Sequence, residues 1–229
     1  QPEAGNLAEG QKVTTLSVSV DQTKVAVSEI DGLCQWQEGD QIAMWFTTGT
    51  ETTGEGETAK TVDVGTKVVF TYSKTVEDGR ASFITTDEIP AEYTTVKVAH
   101  PVDAIMDHGV LQLVKSYVYN VESVPVYVRA ESEDLTAENS PITVDEDGNF
   151  STSLTHNASI MKFTLHDIPA YAAGLAVETK RANGNSIIVT TKFPYKTGYI
   201  ADPSDNSNDI VLYSPVAHSS YPYQVYLVD

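Results

Sequence analysis

Two imidazoles and two carboxylates, which are competent zinc or manganese ligands, lie close together near the middle of the chain. Their spacing matches no established ligand pattern, and Pro101 among them indicates a loop. We therefore interpret them as polar loop residues and predict no metal site. They are His100, Asp103, Asp107 and His108.

Oxygen-bearing side chains alternate at Asp145, Asp147 and Asn149, as they do at the start of a calcium-binding loop. An EF-hand loop needs glycine at its sixth position and glutamate at its twelfth. Here glycine comes fourth and His156 takes the twelfth position. The pair Asp147-Gly148 is typical of a tight turn, so we predict a hairpin without an ion.

The chain contains no sequence motif of serine hydrolases, metalloproteases, phosphate-binding loops or dinucleotide-binding folds. Its one cysteine, Cys34, lies in a predicted strand, where a thiol acts as a small apolar group. His156 and His166 flank an apolar strand, as structural histidines do. We predict no catalytic residue, no cofactor and no enzymatic activity. Paired carboxylates for glycoside hydrolysis stay an open alternative, because sequence does not give their separation.

Tyrosine is the aromatic residue in excess, with 12 copies against 2 tryptophans. Its ring offers a flat apolar face with a polar tip, which suits strand packing and also contact with a sugar or a protein. We interpret these residues as strand packing, with a carbohydrate or partner surface as the alternative. Several lie in the last third of the chain, among them Tyr195, Tyr199, Tyr213, Tyr221, Tyr223 and Tyr226.

Acidic residues dominate the charge of the chain. Lys and Arg total 14 against 32 Asp and Glu, so the formal net charge is -18. Because this charge repels phosphates and anionic lipid head groups, we predict no nucleic acid partner and no membrane-surface partner. The sequence contains no run of about 18 apolar residues, so we predict no direct insertion into a membrane.

Alternation of β-branched and aromatic residues with a period of two recurs along the chain and predicts short antiparallel strands. Pairs such as Asp147-Gly148 and Asn183-Gly184 predict the turns between them. Apolar residues follow helical spacing only over residues 168–176, where Pro169 could open a short helix. The clearest strand patterns are Leu16, Val18, Val20 near the start and Tyr223, Val225, Leu227 near the end.

Strands at regular spacing with turns between them are typical of β-sandwich domains with Greek-key connections. We place a domain boundary near residue 150, because a new apolar run begins at residues 160–165, shortly after the turn at 145–149. The prediction is an all-β chain with little helix, with an N-terminal sandwich over residues 1–150 and a C-terminal β domain over 151–229. Because the second domain is short, we expect it to pack on the first or to continue beyond residue 229.

Four segments occur in an order typical of one known family. Residues 36–42 resemble the W-x-x-G-D-x-I segment of fimbrillin-like proteins, the type V pilins and related adhesins of Bacteroidales. In this segment we predict that Trp36 is buried and that Asp40 caps a turn. The other segments resemble the family's G-x-A-x-F, V-P-hydrophobic and H-x-x-A strands, and they occupy residues 79–83, 124–128 and 154–165.

The resemblance implies two sandwich domains with Greek-key, transthyretin-like topology and export as a lipoprotein to the outer membrane surface. It implies a role in pilus assembly or surface display, with an N-terminal lipid anchor as the membrane attachment. The implied partners are other pilus subunits, or proteins and glycans on a host or bacterial surface. We interpret the chain as a structural or adhesive subunit, either a pilin or a tip, anchor or non-pilus member. A glycan-binding surface lipoprotein is the alternative.

Family pilins carry an arginine near the N-terminus where a protease cuts, whereas the first arginine here is Arg80. The resemblance implies that the first strand blocks polymerisation until it is removed. We therefore expect a monomer whose first strand lies in its own N-terminal domain. In donor-strand assembly, a strand fills a neighbour's groove with alternate apolar side chains. The candidate strand-exchange residues are Leu16, Val18 and Val20 at one end and Tyr223, Val225 and Leu227 at the other.

Overall fold

The computed structural model describes residues 12–20, 36–76, 80–112, 127–156, 158–166, 168–169, 171–180, 183–192, 210–217 and 219–229. The regular elements in these ranges are β-strands and three short 3-10 turns. The prediction of an all-β chain with little helix is therefore confirmed. In the described ranges, no helix is both long enough and apolar enough to cross a membrane.

The described chain forms two compact units, and the first ends at His156. The strand that follows the 145–149 turn therefore belongs to the first unit. The strands of this unit are β1 (Thr14–Val20), β2 (Gln41–Thr53), β3 (Lys60–Thr75), β4 (Ala81–Thr85), β5 (Thr95–His100), β6 (Val128–Ser132), β7 (Ile142–Val144) and β8 (Phe150–His156).

Seven strands of the first unit form a closed sheet in the order β1-β4-β3-β2-β5-β6-β8, and β8 pairs back to β1. Strand β7 is an additional partner of β8. All neighbouring pairs are antiparallel except β1 with β8, which are parallel. An odd number of strands cannot alternate in direction all the way round a ring, so one parallel pair is required. The expectation of a sandwich is wrong for this unit, because β1 pairs along both of its edges and closes the sheet into a barrel.

The interior of the barrel is filled by alternate side chains of its strands. The pattern follows the pleat, which points successive residues to opposite faces. On β1 and β4, for example, Leu16, Val18, Ala81 and Phe83 are buried whereas the intervening residues are half-buried. The side chains of the interior that are fully buried include Leu16, Ile42, Met44, Phe46, Phe70, Phe83, Val96, Val98, Ile142 and Leu154.

Strand β2 departs from this alternation, because residues on both of its faces are buried. The outward-facing Trp45 is only 7% exposed. The loop after β5 packs on this side of the sheet and is held there by two lysines. Lys67 Nζ donates to the carbonyl of Ile105 at 2.7 Å, and Lys97 Nζ donates to the carbonyl of Gly109 at 3.1 Å.

The second unit contains two small sheets. Strands β9 (Ala158–Leu165) and β12 (Ile210–Ala217) form one, and β11 (Ser186–Lys192), β10 (Gly174–Lys180) and β13 (Gln224–Val228) form the other in that order. Side chains from both sheets share one core, made of Ala172, Leu175 and Leu212 with Phe163, Leu165, Ile168 and Leu227 packed against it.

The turn predictions hold in this unit, whereas the short helix does not form in the described residues. The turn at Asn183-Gly184 lies between β10 and β11, with a φ of 84° at the glycine. In place of the helix over 168–176, Ala172 N donates to Pro169 O in a single turn and β10 begins at Gly174. Pairing of β10 along both edges satisfies its backbone better than one isolated helical turn would.

Candidate strand-exchange site

Strand β1 lies between two strands that are remote from it in sequence. It pairs antiparallel with β4, from Thr14 opposite Thr85 to Val18 opposite Ala81. On its other edge it runs parallel to β8, with Leu16 opposite Phe150. Neither β4 nor β8 adjoins β1 along the chain, so β1 is held against these two neighbours by non-covalent contacts.

The inward side chains of β1 are part of the barrel core. Leu16 is 0% exposed and lies opposite Phe83 on one side and Phe150 on the other. Val18 is 1% exposed, whereas Val20 at the end of the strand is half-buried. Two of the three predicted N-terminal exchange residues therefore fill interior space, and Val20 contributes less burial.

The outward side of β1 carries small hydroxyl side chains. Ser17 lies opposite Ser82 of β4 and Ser151 of β8, and Thr143 of β7 follows in the same row. Two residues further along β1, on the same face, the Oγ of Ser19 lies 2.9 Å from the Oγ of Ser153 in β8. The seam between β1 and β8 is thus apolar inside and polar, with small side chains, outside.

Arg80, immediately before β4, lies across this polar side. Its Nε donates to Ser17 Oγ at 2.8 Å, and its Nη1 donates to Ser19 Oγ at 3.3 Å. Its Nη2 donates to the carbonyl of Ser17 at 3.0 Å, so β1 is bound through side chains and backbone alike. The same Nη2 reaches β8, donating to Ser151 Oγ at 2.8 Å and to Thr152 O at 3.0 Å. Arg80 therefore joins β4, β1 and β8.

The hairpin between β7 and β8 holds the other end of β1. The amide of Thr15 donates to Asn149 Oδ1 at 3.0 Å. Asp145 N donates to Asn149 O at 2.9 Å, and Gly148 has a φ of 83°, which confirms the predicted hairpin turn. The pKa of the Asp145 carboxyl is lowered, chiefly by the hydrogen bond that the Asn149 backbone amide donates to it. The backbone amide of Asp147 also donates to this carboxyl and acts in the same direction. Residues that resembled a calcium loop thus stabilise a turn and position a β1 contact.

A groove of about 380 Å³ runs beside this hairpin. Outward residues of β1 and β8 form part of it, and residues of the β7–β8 hairpin form the rest. The residues that line it are Thr15, Ser17, Thr143, Val144, Asp145, Asn149, Phe150 and Ser151.

The C-terminal candidate strand, β13, occupies a different environment. It pairs with β10 and is an edge strand among the described residues of its sheet. Leu227 packs against the core of the second unit, but Val225 is 47% exposed. Tyr223, immediately before β13, is half-buried, and burial raises the pKa of its phenol, against an opposing hydrogen bond from the backbone of Ser219. β13 therefore buries fewer of its predicted exchange residues than β1 does.

Residues 36–42, the first of the four segments that resemble the fimbrillin-like family, form the predicted turn. Asp40 N donates to Gln37 O at 3.0 Å, and Gln37 N donates to Asp40 Oδ2 at 2.8 Å. The prediction that Trp36 is buried is wrong, since its side chain is half-buried. The Trp36 ring makes edge contacts with Phe83 and with the imidazole of His100, at centroid distances of 5.0 Å each. It is Trp45 that is buried, because the loop after β5 packs on it.

The two histidines of the group for which we predicted no metal site contact different backbone carbonyls. His100 Nδ1 lies 2.8 Å from Gln41 O, and His108 Nδ1 lies 3.1 Å from Asp63 O. Because a carbonyl only accepts, neutral His100 must carry its proton on Nδ1. Among the described residues, no group of three or more side chains is arranged to hold a metal ion.

We expect His100 to make stability depend on pH. Burial lowers its pKa, against the opposing effects of the Gln41 carbonyl and the carboxylates of Asp40 and Asp103. Below about pH 6.5 the unfolded chain therefore binds a proton that the native protein resists, so stability falls as pH falls from there. Urea unfolding between about pH 7.5 and 5.5 should show a flatter decline for His100→Asn than for wild type. An equally steep decline in this variant would contradict the assignment.

Several predicted features lie outside the described residues. They are Cys34, Gly79, residues 124–126, Tyr195 and Tyr199. For Tyr213 the structure describes the backbone but not the side chain. Among the tyrosine side chains that the structure describes in the second unit, Tyr171, Tyr221 and Tyr226 are exposed, at 67%, 42% and 41%.

The principal polar contact of β1, Arg80, was not assigned a structural role from the sequence. The one sequence feature that indicates this role is the row of small hydroxyl residues at alternate positions of β1. Such residues leave room for a long side chain to lie across the strand. Comparison with protein families, curated proteins and solved structures found no match to this chain.

Proposed function

We propose that this chain is a structural or adhesive subunit of a bacterial cell surface, of the fimbrillin-like kind, that acts through strand pairing and surface contact. It would be exported as an outer membrane lipoprotein and serve as a pilin or as a tip, anchor or non-pilus adhesin. Its partners would be other pilus subunits, or a protein or glycan on a host or bacterial surface. The finer fold proposal, Greek-key and transthyretin-like topology, applies to the second unit.

The observation that supports this proposal is the setting of β1. Its inward side chains Leu16 and Val18 are fully buried, yet β1 is bound to both neighbours by non-covalent contacts alone. A strand in this setting can leave and be replaced by another strand without rethreading the rest of the chain. Its departure would leave two unpaired strand edges and an apolar groove, which are the features that an incoming strand recognises.

Deleting residues 1–22 tests the proposal. The truncated protein should form oligomers or aggregates, because the edges of β4 and β8 and the interior around Phe83 and Phe150 become accessible. Size-exclusion chromatography with light scattering would measure the mass. Addition of a peptide spanning residues 12–22 should restore the monomer. A truncated protein that stays monomeric with unchanged thermal stability would show that β1 fills nothing.

A glycan-binding surface lipoprotein is the second candidate. It is favoured by the exposure of Tyr171, Tyr221 and Tyr226 in the second unit, since exposed aromatic faces suit contact with sugars. A glycan array with wild type and a Tyr171→Ala variant separates the two functions. Selective binding that is lost in the variant supports the second candidate, and absence of binding across the array counts against it.

A further inference from the structure

We propose that Arg80 determines which strands can occupy the β1 position, by accepting only strands whose outward side chain at the place of Ser17 is small. This inference rests on the proposed function, because it concerns the partner of the same site. The partner it defines is an extended segment with apolar side chains at the places of Leu16 and Val18 and a small hydroxyl side chain between them.

The geometry of Arg80 supports this role. The residue adjoins β4, and its guanidinium reaches Thr152 of β8, on the far side of β1. Neighbouring strands lie about 4.8 Å apart, so the side chain spans the width of the intervening strand. The Arg80 carbonyl accepts a hydrogen bond from Val76 N at 2.9 Å, which fixes the backbone from which the side chain extends. The guanidinium is therefore held close over the outward face of β1.

The contacts of Arg80 with β1 separate into two kinds. The bond from Nη2 to Ser17 O is made to the backbone, so any strand could accept it. The bonds from Nε to Ser17 Oγ and from Nη1 to Ser19 Oγ need a short side chain that ends in an acceptor. A long side chain in place of Ser17 would occupy the volume of the guanidinium. It would also displace the bonds to Ser151 and Thr152 that connect Arg80 to β8.

The test uses strand exchange in the full chain. A recognition site for a specific protease is inserted between residues 21 and 35, so that cleavage leaves β1 in place without a covalent link. Labelled peptides spanning residues 12–22 then compete for the β1 position, and fluorescence anisotropy gives their relative affinities. The peptides are the native sequence, Ser17→Leu, and Thr15→Leu as the matched control. Thr15 also faces outward but contacts Asn149 through its backbone amide.

In the wild-type protein we expect the Ser17→Leu peptide to bind at least about tenfold more weakly than the native peptide, as loss of a hydrogen bond to a charged group implies. The Thr15→Leu peptide should lie within about threefold of native. In an Arg80→Ala protein the difference between native and Ser17→Leu peptides should fall below about threefold, because the side chain that excludes leucine is absent. Arg80→Lys should give an intermediate ratio, since an ammonium lacks the planar fork that spans two strands.

The outcomes distinguish this inference from the proposed function. If the native peptide exchanges but the tenfold difference persists in Arg80→Ala, strand exchange stands and the role of Arg80 is refuted. If no peptide enters the cleaved wild-type protein, β1 is not exchangeable and both proposals fail. Should Arg80→Ala not fold, Ser151→Ala replaces it. That variant removes one hydrogen bond that holds the guanidinium on β8. It should at least halve the ratio of the affinities of the native and Ser17→Leu peptides. If this ratio is unchanged, the role of Arg80 is refuted.

Discussion

Replacing Leu16 with alanine should lower the free energy of unfolding by about 2 to 5 kcal/mol, among the largest effects expected for this protein. Leu16 is 0% exposed and lies between Phe83 and Phe150, in an interior that is closed on all sides by paired strands. Its truncation leaves a cavity that the ring cannot close, because the spacing of hydrogen-bonded strands is fixed. Chemical denaturation of the wild-type and variant proteins measures the difference.

The matched control is Val225→Ala, a truncation in the other candidate exchange strand. Because Val225 is 47% exposed, its loss should change the free energy of unfolding by about 0.5 kcal/mol or less. Effects of equal size would mean that the two strands are equally important to packing. That result would remove the reason for choosing β1, and not β13, as the exchangeable strand.

The second large effect is expected from Gly65→Ala in β3. A Cβ at this position would overlap the backbone oxygen of Phe46 and lie 2.8 Å from the ring of Trp45. The backbone oxygen belongs to the paired strand β2 and cannot move without breaking the ladder, so overpacking should cost about 3 kcal/mol. The buried indole of Trp45 also allows its fluorescence to report the displacement.

Gly49→Ala provides the control on the neighbouring strand. A Cβ at Gly49 would meet no atom within 4 Å, and the glycine has no positive φ. Alanine there should leave stability unchanged or raise it by up to about 1 kcal/mol, since it restricts the unfolded chain. A Gly65→Ala variant that is as stable as Gly49→Ala would mean that β2 and β3 separate easily. The described packing of Trp45 would then be incorrect.

Closure of the sheet explains why β1 differs from the other strands of the barrel. β1 is paired along both of its edges, so in the native barrel it offers no free edge for another chain to extend. Loss of β1 opens the ring at its one parallel seam and creates two edges at once. Arg80 opposes that loss from outside while Leu16 opposes it from inside. In the proposed exchange, an incoming strand would have to satisfy both, and the site would then select side-chain size on its two faces.

Much of this protein follows from sequence alone. Alternation at Leu16 and Val18 specified a strand with one buried face, because the pleat turns successive residues to opposite sides. Asp147-Gly148 specified the hairpin, because glycine adopts a positive φ without strain. The net charge of -18 predicts repulsion of nucleic acid, whose phosphates carry the same sign of charge. These properties are local or compositional, so they do not depend on which strands pair.

The tertiary structure decided what depends on partners far apart in the chain. Whether β1 closes a barrel or edges a sandwich depends on its pairing with Phe150 and Phe83, which the period-two pattern leaves undetermined. The same holds for Trp45, which is buried because a loop remote in sequence packs on it, whereas Trp36 is half-buried. Arg80 became a candidate for selecting strands only when folding placed it across β1. A single side chain acquires such a role from the strands it spans, and their order round the ring is fixed by tertiary packing.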